Sequence, residues 1–250
     1  MNDHTDWLAT TAEVAPYGLL VRQIRDRQAL VIDPKGKATI EKTPADPPFR
    51  SSESISVDST LDKDGVLTGH FDMTFRGDSE LLLRALFHEN APAQWPDLVQ
   101  NFSKSLNFAG DVSNAAIENV NDLSKPLHIN YDYKRTNFSD WAEHKISPPL
   151  PPLTLPFAGT DVQKPADDVE LPPPGKLEYH AVIRLPKEYR LEPQKGTSAT
   201  SPFGEYRSAY VVKDGVLTVD RILETRKSKA PISEWDTYRK FSNAVYDDHN

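Results

Sequence analysis

Seven histidines stand at His4, His70, His88, His128, His144, His180 and His249, and the 250 residues contain no cysteine. Without cysteine the chain has no thiol nucleophile, disulfide or thiolate metal site, and its redox compartment is left open. No two histidines show the i, i+4 spacing with a glutamate that a zinc protease uses. His70 and Asp72 fall on one face of an alternating strand and offer two metal ligands. No third ligand accompanies them, and that face is expected to be in solvent. Asp62-Lys63-Asp64-Gly65 has the look of a calcium-loop fragment but lacks the terminal bidentate glutamate. The same Lys-Asp-Gly-Val-Leu-Thr string recurs at 213–218 without an acid in the place of Asp62, so turn chemistry accounts for both copies.

No Gly-x-Ser-x-Gly elbow, phosphate-cradling glycine loop or dinucleotide fingerprint occurs. The acid pairs Asp167-Asp168 and Asp247-Asp248 lie in a linker and at the terminus. Nothing around them in sequence would desolvate a carboxyl and shift its pKa toward acid–base work, so solvated loop charge is expected. Tyr131 and Tyr133, with Phe138 and Trp141 nearby, have the spacing of a sugar-stacking strip, although aromatics so placed more often form a core. Asn101 and Asn137 head glycosylation sequons, treated as chance matches because Asn101 falls within an expected helix. No catalytic, cofactor-binding or metal-ligating residue is assigned, and no cofactor is expected.

The formal charge of −8 argues against nucleic acid or an anionic membrane, since both select basic patches. The clusters Arg22/Arg25/Arg27 and Arg226/Lys227/Lys229 are short and expected to be solvated. No run approaches the ~20 apolar residues of a membrane span. Met1–Asp6 is polar and lacks the basic-then-apolar layout of a signal peptide.

The elements follow from period and punctuation. Asp-Gly in each repeated string is a strong hairpin signal. After the first copy Leu67, Gly69, Phe71, Met73 and Phe75 alternate along one strand face. Leu127, Ile129, Tyr131 and Tyr133 repeat the pattern, as do Tyr179, Ala181, Ile183 and Leu185. Tyr206–Val212 and Val216–Leu223 form a second hairpin. Leu81, Leu82, Ala85 and Leu86 predict a helix capped by Asp78. Trp95, Leu98, Val99, Phe102 and Leu106 predict another, and Trp235, Tyr238, Phe241 and Val245 a third with Ser233 as N-cap. Trp7–Thr11 is strand-like, and Gln28–Asp33 is an apolar run closed by Pro34-Lys35-Gly36. The proline-dense stretch 147–175 suggests a stiff extended crossover, and its PxxP spacing also suits an SH3-like partner. The expected class is α+β, mainly β: an antiparallel β-sandwich with about three peripheral helices and a Pro-rich crossover.

Trp7-Leu8-Ala9-Thr10-Thr11-Ala12-Glu13-Val14-Ala15-Pro16-Tyr17-Gly18 and Arg27–Asp33 resemble the tail of a bacterial transglutaminase-like core. The remainder is similar to the β-sandwich region that flanks such cores. The matching features are Asp64-Gly65, Phe75-Arg76-Gly77 leading into Arg84, Ile183-Arg184-Leu185-Pro186 and Tyr238-Arg239-Lys240-Phe241. The resemblance implies two parts, residues 1–49 as the last strands of the core and 50–250 as the accessory domain.

That family's chemistry uses a Cys-His-Asp triad. The aspartate would fall at Ala9, and the cysteine and histidine segments upstream of Met1. The resemblance therefore implies a non-catalytic accessory or binding module, whose partner is its own upstream core or another protein. It also implies a parent exported to the periplasm or cell surface. Two alternatives stand beside it: part of a transglutaminase or related cysteine-protease-like enzyme, or an independent adhesion or glycan-binding sandwich. No nucleic-acid or membrane-inserted role is expected.

Overall fold

The computed structural model of the chain describes residues 6–136, 147–159 and 162–249. In order, the strands and helices are β1 (Gln28–Ile32), β2 (Ala38–Lys42), β3 (Ser51–Leu61), β4 (Leu67–Arg76), α1 (Asp78–His88) and α2 (Trp95–Ser105). Then come β5 (Asp111–Glu118), β6 (Leu127–Arg135), β7 (Val169–Glu170), β8 (Gly175–Arg184) and β9 (Ser198–Ser201). The chain closes with β10 (Gly204–Lys213), β11 (Val216–Thr225), β12 (Lys229–Ala230) and α3 (Trp235–Tyr246).

Eight of these strands form one sheet in the order β5-β6-β4-β3-β8-β11-β10-β9, flanked by the two-stranded ribbons β1-β2 and β12-β7. The mainly-β, three-helix class holds. The expected antiparallel sandwich does not match the pairing in two respects: the long strands share one sheet, and β3 runs parallel to β8 from Ser51↔Gly175 to Thr60↔Arg184. Period-2 alternation marks a strand with one covered face, whatever covers it, so a sandwich and a sheet covered by helices look alike in sequence.

One face of the sheet is apolar. Ile55, Val57 and Leu61 of β3 are buried with Phe71, Met73 and Phe75 of β4, Ile129 and Tyr131 of β6, and Ala181 and Ile183 of β8. Val99 of α2 and Trp235, Tyr238, Phe241 and Val245 of α3 belong to the same core, as do Leu150, Leu153, Leu155 and Leu171 of the proline-rich strap. Fully burying one such side chain is worth roughly 1.5–3 kcal/mol. The strap is the crossover expected, held by leucines set between prolines that cannot join a ladder.

The repeated string turns in two ways. In the second copy Asp214 and Gly215 both take positive φ (53° and 78°) and Lys213 pairs with Val216, a two-residue hairpin. In the first copy, of the turn residues only Gly65 is left-handed (φ 76°), and Asp62 N–H donates to Val66 O at 3.0 Å. The Asp62 carboxylate accepts the N–H groups of Asp64 (2.8 Å) and Val66 (2.9 Å), which opens the loop by a residue.

In the N-terminal segment Leu19 and Leu20 are buried, 1% and 3% exposed, and Arg25 ties the segment to α1 through Asp78. Trp7–Thr11 is irregular rather than a strand. The β1-β2 ribbon does form, but every residue of β2 is exposed, and Leu30, Ile32 and Ile40 stand in solvent on one face. The cross-strand pair Leu30↔Ile40 is left 63% and 65% exposed.

Candidate functional site

The start of α1 is where the N-terminal segment, the sheet and the strap meet. Gly77 (φ 101°) turns the chain off β4 and takes the cap position, so α1 begins at Asp78, one residue earlier than a capping Asp78 would place it. Glu80 reaches back instead, its carboxylate accepting the Gly77 N–H at 3.1 Å. The same carboxylate accepts from Arg76 Nη1 (3.0 Å) and from Arg84 Nε (3.0 Å) and Nη2 (2.8 Å). Arg84 and Glu80 are both fully buried. Arg84 also donates to the carbonyls of Asn119, Val120, Asp122 and Lys125, which spends its guanidinium on a loop that would otherwise bury unpaired acceptors. Arg25 joins the N-terminal segment to this junction: it forks onto Asp78 and donates to Leu20 O at 2.8 Å.

Two adjoining hollows open at this junction. The larger, about 570 Å³, runs between residues 11–23 and α1, with Val14, Val21, Leu81, Leu82 and Ala85 as walls and Glu13, His88 and Glu89 at the far end. The smaller, about 230 Å³, lies where β3 and β8 begin and is lined by Ser51, Ser52, Glu53, Arg76, Lys176 and Thr225 among others. Arg22 and Asp78 line both. Glu53, on the wall of the smaller hollow, accepts the hydroxyl of Tyr179 at 2.6 Å. Burial pushes the Glu53 carboxyl above its usual range, partly offset by that hydrogen bond. Ser51 Oγ is buried with no partner among the described residues. The hollows thus offer hydroxyls and charged side chains beside apolar walls.

The residues that sequence singled out are dispersed. His70 and Asp72 are exposed, as expected, and belong to different cross-strand pairs: His70 with Asp132 at 2.8 Å and Asp72 with His128 at 2.8 Å. A third pair, His180 with Asp220 at 2.7 Å, lies on the same open face. The described residues contain no group of three or more His, Asp or Glu arranged to hold a metal. Asp168 accepts the Ile232 N–H at 2.9 Å, which with Lys229 holds its carboxyl below the usual range.

Asp248 departs most from expectation. It is 2% exposed rather than solvated, with Tyr206 (2.6 Å), Ser208 (2.6 Å) and Tyr210 (2.9 Å) donating to its carboxylate and Arg221 at 3.8 Å. Nothing in a terminal Asp-Asp pair signals this; the hydroxyls come from alternate residues of β10, forty residues away. Tyr131 and Tyr133 are buried, 0% and 4% exposed, and Phe71 stacks on Tyr131 at 5.0 Å, so these two cannot present rings to a sugar. Phe138, Trp141, Asn137, His4 and His144 lie outside the described residues. Ala9 lines a separate hollow of about 320 Å³ with Leu8, Ala15, Pro16 and Leu19.

No curated protein and no solved structure matches the chain. A family model does match over residues 150–250, described as a domain of unknown function with solved structure, DUF3858. That stretch carries the strap, β7–β12 and α3, while β3–β6 of the same sheet lie before it. The chain is thus similar, over its C-terminal two-fifths, to a family whose function is open.

Proposed function

We propose that the chain is a non-catalytic accessory module, the C-terminal region of a transglutaminase-like protein, acting by packing against a core or partner. The observation that carries this reading is the β1-β2 ribbon. It places Leu30, Ile32 and Ile40 at 63%, 64% and 65% exposure on one face, inside the stretch that resembles the end of such a core. A lone two-stranded ribbon is marginal in water, and an apolar face of this kind is characteristic of a surface that another layer covers. The chemistry is compatible: the chain has no thiol, and Ala9 occupies the place where the resemblance puts the orienting acid.

The test is an amine-incorporation and amide-hydrolysis assay on the purified chain with a glutamine-containing peptide. No turnover is expected, and reproducible turnover that survives repurification overturns the reading. Reading the frame upstream of Met1 separates the accessory role from that of an enzyme seen in part. A cysteine-bearing helix followed by a histidine-bearing strand would place an active core beside this module.

A further inference from the structure

The two hollows that share Arg22 and Asp78 make one amphipathic cleft. Its apolar half follows α1, where Leu82 is 72% exposed beside Leu81 and Ala85. From Asp78 to Glu89 the helix axis covers about 16 Å at 1.5 Å per residue. That is the length of about five residues of extended chain. At the polar end Arg22 is exposed and donates only to Leu171 O, at 3.3 Å, with no carboxylate partner among the described residues. The acid beside it, Asp78, is already held by Arg25, and burial favours the neutral form of Glu53. Ser51, Ser52, Ser79 and Thr225 add hydroxyls. The opposite end carries Glu13 and Glu89 with His88, whose ring lies 3.5 Å from Glu13. Charge therefore changes sign along the cleft, positive at Arg22 and negative at Glu13 and Glu89, with an apolar floor between.

We infer that this cleft binds the C-terminal end of an extended peptide. The terminal carboxylate sits on Arg22, two or three apolar side chains lie against Leu81, Leu82 and Ala85, and a basic residue about four positions upstream meets Glu13 and Glu89. The guanidinium suits a carboxylate because its fork can give two parallel N–H bonds. The inference rests on the chain being a binding module but not on the ribbon or on the transglutaminase-like resemblance.

The experiment is calorimetric titration of the purified chain with the acetylated peptide Lys-Ala-Leu-Val-Leu bearing a free C-terminus, beside the same peptide C-terminally amidated. A third peptide has glutamate in place of lysine. The free acid should bind at least tenfold more tightly than the amide and than the glutamate peptide. Arg22→Gln should erase the acid–amide difference, while Leu82→Asp should weaken all three peptides. Both positions are exposed, and an unchanged thermal transition confirms that each variant folds. Equal binding of acid and amide, no binding of either at millimolar peptide, or an unaltered preference in Arg22→Gln overturns the proposal. Octanoate binding as tightly as the free-acid peptide overturns the assignment to a peptide. None of these outcomes bears on the amine-incorporation assay, so the two readings fail separately.

Discussion

Tyr206 and Asp248 are joined by a 2.6 Å hydrogen bond across 42 positions of sequence, and through it the end of the chain is fastened to β10. Burial alone pushes the Asp248 carboxyl up. Hydrogen bonds from Ser208, Tyr206, Thr197 and Tyr210 more than offset it and leave the group below the usual carboxylate range. A carboxyl whose folded pKa is depressed stabilises the fold above its unfolded pKa of about 3.9, and that stabilisation fades as pH falls through the folded value. Asp248→Ala should therefore flatten the acid limb of a stability–pH profile below about pH 4. At neutral pH it should cost about 3–5 kcal/mol, because Arg221 is left buried without its carboxylate. Urea unfolding of both proteins from pH 2.5 to 7 checks this. Parallel acid limbs would mean that the carboxyl titrates alike in the folded and unfolded chain.

Glu80 and Arg84 make a different kind of test, because both are buried and neither can be solvated once its partner is gone. Arg84→Met should destabilise by about 3–5 kcal/mol, leaving a buried carboxylate and four carbonyls short of a donor. Replacing both residues with leucine and methionine removes the stranded charge, so the double variant should be more stable than Arg84→Met alone. Denaturant midpoints at constant slope measure both effects.

The closing helix and the second hairpin were legible because their information is local. Trp235, Tyr238, Phe241 and Val245 repeat at helical spacing, and all four are buried. Asp214-Gly215 carries its own turn geometry. The β3–β8 pairing was not legible, since Ile55 alternates in the same way whether its neighbour is Met73 or Tyr179. A parallel junction is decided by the crossover between distant strands. Glu80 and Arg84 look in sequence like a surface i, i+4 pair, and only the loop carrying Asn119, Val120, Asp122 and Lys125 turns them into a core. The cleft was hidden for the same reason: Arg22, Asp78 and Lys176 come from three stretches that share no local pattern.

On the open face of the sheet, His128 should titrate above the ordinary imidazole value. Partial burial lowers its pKa, but Asp72 at 2.8 Å and Glu118 at 3.4 Å outweigh it. A raised folded pKa means that this pair adds stability fully present below about pH 6.5, lost as pH rises through the folded value. Two-dimensional NMR titration of the imidazole should show the raised midpoint, and Asp72→Asn should lower it. A midpoint unmoved by Asp72→Asn would mean that the pair does not persist in solution.

The ribbon yields the sharpest contrast in stability. Ile40 is 65% exposed and Ile55 is fully buried, although both are isoleucines on strands. Ile55→Ala should cost about 2–5 kcal/mol, the transfer and cavity cost of a core site. Ile40→Lys should change the stability of the isolated chain by no more than about 0.5 kcal/mol, as surface substitutions do. If the ribbon is covered by a core or partner, the same Ile40→Lys change should weaken that association severalfold while leaving unfolding untouched. Measuring urea unfolding first and association with the candidate core or partner second separates the two effects. A large loss of stability from Ile40→Lys in the isolated chain would mean that the ribbon is already packed there, and the apolar face would no longer argue for a partner.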